Sequence, residues 1–230
     1  MTRAIAGDGL ARAAVVTVGL FLASQVNAGD VRGTVRTNEE LKQKSIEAVR
    51  PPYWQEWNGF IDPKKQAVDF PREVSAALIG PVASKDGVTV SLRDGTLTPS
   101  TIVAQYGTTL RIRNDDDFAH ELYVEGLKGF DAVATSPGST RSVQLEKTGV
   151  FALRDKLAPY VHGNLHVVAK LTQVVNPNSD GSFAFKDVPP GEYTVKVFRG
   201  DKEVSSSEVE VTSSRELTLD AIPVDTKPGK

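Results

Sequence analysis

Residues 29–36 (GDVRGTVR) alternate apolar and polar side chains, the pattern of a strand with one face buried. The period then changes. Thr37-Asn38-Glu39-Glu40 sets a Thr three residues ahead of a Glu, a capping-box pattern that predicts a short charged helix stopping at Pro51-Pro52. An aromatic knot follows, Tyr53, Trp54, Trp57 and Phe60, which holds both tryptophans of the chain. Residues 75–82 (SAALIGPV) read as a buried strand. From Gly87 onward short strands alternate with turn residues, at 88–92, 102–104, 108–114, 120–124, 141–145, 150–153 and 165–171. Such spacing predicts a sandwich or barrel rather than a parallel sheet. After Asn176, the turns Asp180-Gly181 and Val188-Pro189-Pro190-Gly191 punctuate strands ending with 192–198, 203–211 and 215–222, and the tail from Pro223 is expected to fray. Helical periodicity is nearly absent outside the stretch after Thr37, so the predicted class is all-β.

The N-terminal stretch departs from this pattern. Arg3 and Arg12 precede an apolar run, AAVVTVGLFLA, and Val26-Asn27-Ala28 places small residues where a signal peptidase cuts. Residues 1–28 are therefore expected to be a signal peptide, too short in its apolar part to span a bilayer, which needs about 20 apolar residues. Localisation is expected to be periplasmic or secreted, with no stable membrane insertion after cleavage. The chain has 27 Lys plus Arg against 29 Asp plus Glu; the leader takes Arg3, Arg12 and Asp8 with it, leaving 25 against 28. That balance offers no electrostatic footprint for nucleic acid. There is no Cys, and the single Met is the initiator. Thiol catalysis, thiolate metal sites and disulfides are excluded on composition, and core packing alone must hold the fold.

Two pieces of the sequence resemble known families. GDVRGTVR near the start and DGSFAFKDVPPGEYTVKV near the end resemble the opening and closing strands of a carboxypeptidase regulatory-like (prealbumin-like) sandwich, and residues 86–171 resemble a cupredoxin. The order is similar to exported proteins of the "methylamine utilization protein" type. The resemblance implies two β-sandwiches, a cupredoxin-like Greek-key domain (86–171) inserted in a prealbumin-like domain. The latter comprises 29–85, with a helix and aromatic insertion at 37–74, and 172–223; 224–230 form a flexible tail. The segment Asn114-Asp115-Asp116-Asp117-Phe118-Ala119-His120 resembles the family's Asn-x-Asp-x-x-x-His, whose His is the first copper ligand. The remaining ligands follow in the family as Cys-x-x-His-x-x-Met, framed by a Pro and a Gly. Here Pro159 and Gly163 keep the frame, so Asp155 stands for Cys, Ala158 for His and Val161 for Met. The resemblance thus implies a copper site reduced to His120, with no metal and no cofactor, since blue-copper sites depend on a thiolate beside two imidazoles.

Other constellations carry less. In the family geometry His120 and Asp155 face each other, so Asp155 either replaces the metal by a hydrogen bond or points to water. His162 and His166 have the spacing of a helical metal pair, but on a strand four residues span about 13 Å, which leaves them as solvent-face histidines. Asp115-Asp116-Asp117 lacks the glycine and distal glutamate of a calcium loop and reads as a solvated turn. Asp201-Lys202-Glu203 with Glu208 and Glu210 reads as the wet face of an edge strand. The knot of Tyr53, Trp54, Trp57 and Phe60 either packs locally over the outer sheet, docks a partner, or offers a sugar platform. The function expected is a non-enzymatic binding or scaffold module in an envelope complex, with another envelope or secreted protein as partner. The alternatives are a copper or electron-transfer role through His120 and a carbohydrate-binding module using Trp54 and Trp57.

Overall fold

Alternation of buried and exposed side chains governs most strands in the computed structural model, which describes residues 28–37, 68–212 and 216–224. The expected signal peptide as far as Asn27, the helix expected after Thr37 and the aromatic knot lie outside the described residues. In chain order the elements open with β1 (Gly29–Thr37), a four-residue helix α1 (Phe70–Glu73) and β2 (Val74–Ile79). Next come β3 (Val88–Arg93), β4 (Thr96–Thr98), β5 (Thr101–Gln105), β6 (Thr109–Asn114), β7 (Leu122–Val124), β8 (Thr140–Gln144), β9 (Gly149–Asp155) and β10 (His162–Val168). The chain closes with β11 (Gln173–Val175), β12 (Ser182–Val188), β13 (Gly191–Arg199), β14 (Lys202–Val211), β15 (Leu217–Thr218) and β16 (Ile222–Val224).

These strands make four sheets of four, and the fold is all-β. Strands β3 to β10 form two of them, in the orders β4-β3-β6-β8 and β5-β10-β9-β7. The inward rows of the two sheets share one core, in which Leu92, Leu97, Ile102, Leu110, Phe130 and Leu165 are completely or almost completely buried. Strands from the two flanking stretches form the other pair: β12-β1-β15, with β16 also on β1, and β11-β2-β13-β14. Their core gathers Val31, Val35, Leu78, Phe185, Val195 and Val197. Burying such side chains contributes about 1.5–3 kcal/mol each, which suits a chain without disulfides.

The two sandwiches are joined by a third, smaller cluster of Ala77, Val103, Leu171 and Phe198. Beside it Thr101 Oγ donates to the Glu73 carbonyl at 2.6 Å and accepts from the Gly200 amide at 2.9 Å, while Ser75 Oγ donates to the Thr101 carbonyl at 2.6 Å. The crossing segments are tied together as well: Ser84 N–H donates to Leu171 O at 2.7 Å and Thr172 N–H to Leu78 O at 2.8 Å.

Three expectations need correction. The strand expected at 75–82 ends at Ile79, because Gly80 and Pro81 interrupt the ladder and Pro81 has no N–H to give. The strand expected at 215–222 is instead two short pieces, β15 and β16, both pairing in parallel with β1. The tail expected to fray from Pro223 is held at its start: Val224 pairs with Thr37 and is fully buried in the outer core.

Candidate functional site: a closed imidazole–dicarboxylate centre

The loops at one end of the inner sandwich converge on His120, whose side chain is completely buried. The backbone holds it first. His120 and Thr135 exchange both main-chain hydrogen bonds, Thr135 N–H to His120 O at 2.7 Å and His120 N–H to Thr135 O at 3.1 Å. Asn114, at the end of β6, folds the loop between: its Nδ2 donates to Phe118 O at 2.8 Å and Thr135 O at 2.9 Å, and its Oδ1 accepts from Asp116 N–H at 3.0 Å.

Both ring nitrogens of His120 face carboxylates. Nδ1 lies in a short hydrogen bond to Asp155 Oδ2, and Nε2 lies 3.0 Å from Asp116 Oδ2. Each carboxylate is itself held by main-chain amides. Asp155 Oδ1 accepts from Leu157 N–H at 2.8 Å and from Glu121 and Ala158 N–H at 3.2 Å. Asp116 accepts from the Gly95 amide at 2.9 Å and from the Asp94 amide. Those two amides come from the turn joining β3 to β4, where both residues have positive φ, 52° at Asp94 and 64° at Gly95. That is a primed hairpin turn, which Asp-Gly favours. A Cβ at Gly95 would meet the Tyr160 ring at 2.6 Å, so glycine serves both the dihedral and the space.

Both ring nitrogens are thus engaged within the protein, and the two carboxylates that engage them accept from five backbone amides. A metal would have to displace one of these contacts to reach the imidazole. The positions that the resemblance sets against the other ligands are apolar and inward: Ala158 and Val161 belong to the inner core and are 3% and 0% exposed. Among the described residues no group of three or more His, Cys, Asp or Glu is placed to hold a metal ion. The donor set therefore does not fit copper.

The contact between His120 and Asp155 is thus present, and its second carboxylate is one the sequence reading placed wrongly. Asp116 is not in a solvated turn but 7% exposed against the imidazole. The signal was in the Asn-x-Asp-x-x-x-His frame, which sets this Asp four residues before the His. Asp115 is also engaged: it accepts from Ser91 Oγ and pairs with Arg113 at 2.6 Å, and the Ser91 bond, then Arg113 and Arg93, hold its carboxyl below the usual range against a desolvation cost. Tyr53, Trp54, Trp57 and Phe60 lie outside the described residues.

His166 also departs from expectation. His162 is exposed, but His166 is 2% exposed at the joint between the sandwiches, because β10 turns it toward β13 rather than solvent. Its Nε2–H donates to Gly200 O at 2.8 Å and its ring lies 4.6 Å from that of Phe198. Burial pushes its pKa below the ordinary histidine value, against the opposing pull of the Gly200 carbonyl, Asp201 and Glu203.

Three large apolar side chains are exposed near the closed centre, among charged neighbours that include Asp94, Asp117 and Lys156. Phe118 lies with its ring 4.5 Å from that of His120, Leu157 follows the Asp155 cap, and Tyr160 covers Gly95; all three are exposed.

Comparison with known proteins matches residues 73–167 to the family described as cupredoxin-like domain. The chain thus carries a cupredoxin-like domain without a cysteine. The matched stretch begins at Glu73, the last residue of α1, and so includes β2, although β2 pairs with β11 and β13 in an outer sheet. Similar solved structures include an amicyanin variant in its reduced state, 15% identical over 36% of this chain and 82% of that one, at a TM-score of 0.33. A purple cupredoxin from Nitrosopumilus maritimus is 18% identical over 35% of this chain and 98% of its own, at 0.32. A copper-containing nitrite reductase from Thermus scotoductus SA-01 is 22% identical over 40% of this chain and 24% of its own, at 0.33. No curated protein matches the sequence.

Proposed function

We propose that this protein is an exported, non-enzymatic binding or scaffold module, a component of an envelope complex, built on a cupredoxin-like domain with no copper chemistry. The observation that carries the reading is the engagement of both His120 nitrogens by Asp116 and Asp155, carboxylates that are themselves fixed by main-chain amides. A metal would have to displace a carboxylate from several amide donors at once, and would find Ala158 and Val161 where further ligands are needed. The exposed Phe118, Leu157 and Tyr160 supply the contact surface of such a module, since aromatic side chains are enriched where proteins meet. Among the described residues no helix is long and apolar enough to cross a membrane. The outer sandwich is read as prealbumin-like: GDVRGTVR forms most of β1, and DGSFAFKDVPPGEYTVKV forms β12 and most of β13.

Calorimetric and EPR titration with Cu(II) tests this reading. No tight stoichiometric binding is expected, and any weak binding should disappear in His162→Ala, the exposed histidine. One tight equivalent that survives His162→Ala and is abolished in His120→Ala overturns it.

A further inference from the structure

In the outer sandwich, β14 is the longest strand among the described residues and forms one edge of its sheet. Its ladder to β13 runs from Lys202 opposite Arg199 to Val211 opposite Gly191, and no other described backbone group bonds to residues 202–211. Alternate residues of an antiparallel edge strand direct N–H and C=O away from the sheet. Among the described residues, this proline-free strand therefore has a row of donors and acceptors without a backbone partner, with β16 approaching it from the facing sheet.

The side chains select what that row accepts. A register shift between Val197 and Phe198 lets β14 carry one extra residue there, which places Glu203 on the same outer face as Ser206, Glu208 and Glu210. Glu192 of β13 stands opposite Glu210 and extends the acidic face. Glu203 is neutralised by Lys196 at 2.9 Å, whereas no described cation pairs with Glu192, Glu208 or Glu210. The opposite row, Ser205, Ser207 and Val209, is half-buried and presents small side chains at the margin of the outer core. A second copy pairing along this edge would lay one acidic row beside another, and like charges on neighbouring strands repel.

We infer that β14 is a docking edge for an extended basic segment of another protein, one that adds as a fifth strand with lysines or arginines over Glu208 and Glu210 and small apolar side chains on the core-facing side. Such β-augmentation takes affinity from the main chain and specificity from alternate side chains. The inference goes beyond the copper-free reading and does not depend on it: a tight copper equivalent would overturn that reading and leave this edge untouched.

The probe is the acetylated, amidated peptide Lys-Val-Lys-Val-Lys-Val-Lys-Val, added to the full chain and followed by calorimetry and amide hydrogen exchange. Binding is expected, with new protection in residues 202–211 that the alternating Glu-Val peptide does not produce. Glu208→Lys/Glu210→Lys, at two exposed positions, should weaken it about tenfold, because two attractive cross-strand pairs become repulsive, and raised salt should weaken binding to the unmutated chain. Absence of binding, or binding without protection of residues 202–211, overturns the inference. So does a concentration-dependent dimer of the free chain that protects this same edge, which would make a second copy the occupant.

Discussion

Asp155, which the resemblance to a cupredoxin sets against the family's cysteine, joins the loops around His120 through hydrogen bonds. It takes three amides on one oxygen and an imidazole on the other, all out of water. Breaking a buried charged contact by removing one partner costs about 3–5 kcal/mol. Asp155→Ala is therefore expected to lower stability by about that amount, read as a fall in the urea midpoint with an unchanged slope. Asp155→Asn keeps an acceptor for the amides and should lose less. That Asp155 faces His120 was legible in the sequence because Pro159 and Gly163 fix the register, but whether it bonds to the imidazole or points to water was decided by the structure. The role of Asp116 was missed although the Asn-x-Asp-x-x-x-His frame singles it out of the three aspartates, because a run of acidic residues at a strand end reads as a solvated turn. His166 was misread for a related reason: strand alternation tells which residues share a face, but not whether a second sandwich covers that face.

At the level of elements, the hairpin turn between β3 and β4 acts as an anion cradle for Asp116 as well as a reversal of direction. Asp94 and Gly95 aim their amides at one carboxylate because both adopt left-handed dihedrals. Gly95→Ala would impose a left-handed conformation costing about 1–2 kcal/mol and push its Cβ into Tyr160. The expected outcome is a lowered urea midpoint together with changed NMR shifts of the Tyr160 ring and the His120 imidazole. Movement of the Tyr160 signals alone would show that the cradle tolerates the change. Most strands were readable from alternation and turn residues, as in β1, β6 and β13. The short ones, β4 and β11, were not, since three residues carry too little pattern to set them apart from a loop.

For the molecule as a whole, His166 links stability to pH through the joint between the sandwiches. Its pKa in the fold lies below the value of about 6.5 expected unfolded, so the unfolded chain binds more protons in that range. Its contribution is fully present above that value and is lost as pH falls toward the folded pKa. Urea midpoints should therefore decline on acidification through this window, and His166→Gln, which keeps an N–H for the Gly200 carbonyl but does not titrate, should flatten that part of the profile. A profile unchanged by the substitution would place the pH dependence elsewhere.

The seam where Ser84 meets Leu171 and Leu78 meets Thr172 also governs the order in which the polypeptide can become structured. β1 must find β12, with Gly29 opposite Val188, so its partner arrives only after the whole inner sandwich has emerged. Closing a loop of that length from an unstructured chain is slow, because the entropy is spent before the contacts repay it. Once strands β3 to β10 have collapsed, the same two ends are drawn together at the seam and the remaining search is short. The inner sandwich would thus serve as the assembly jig for the outer one, a service that needs only its fold.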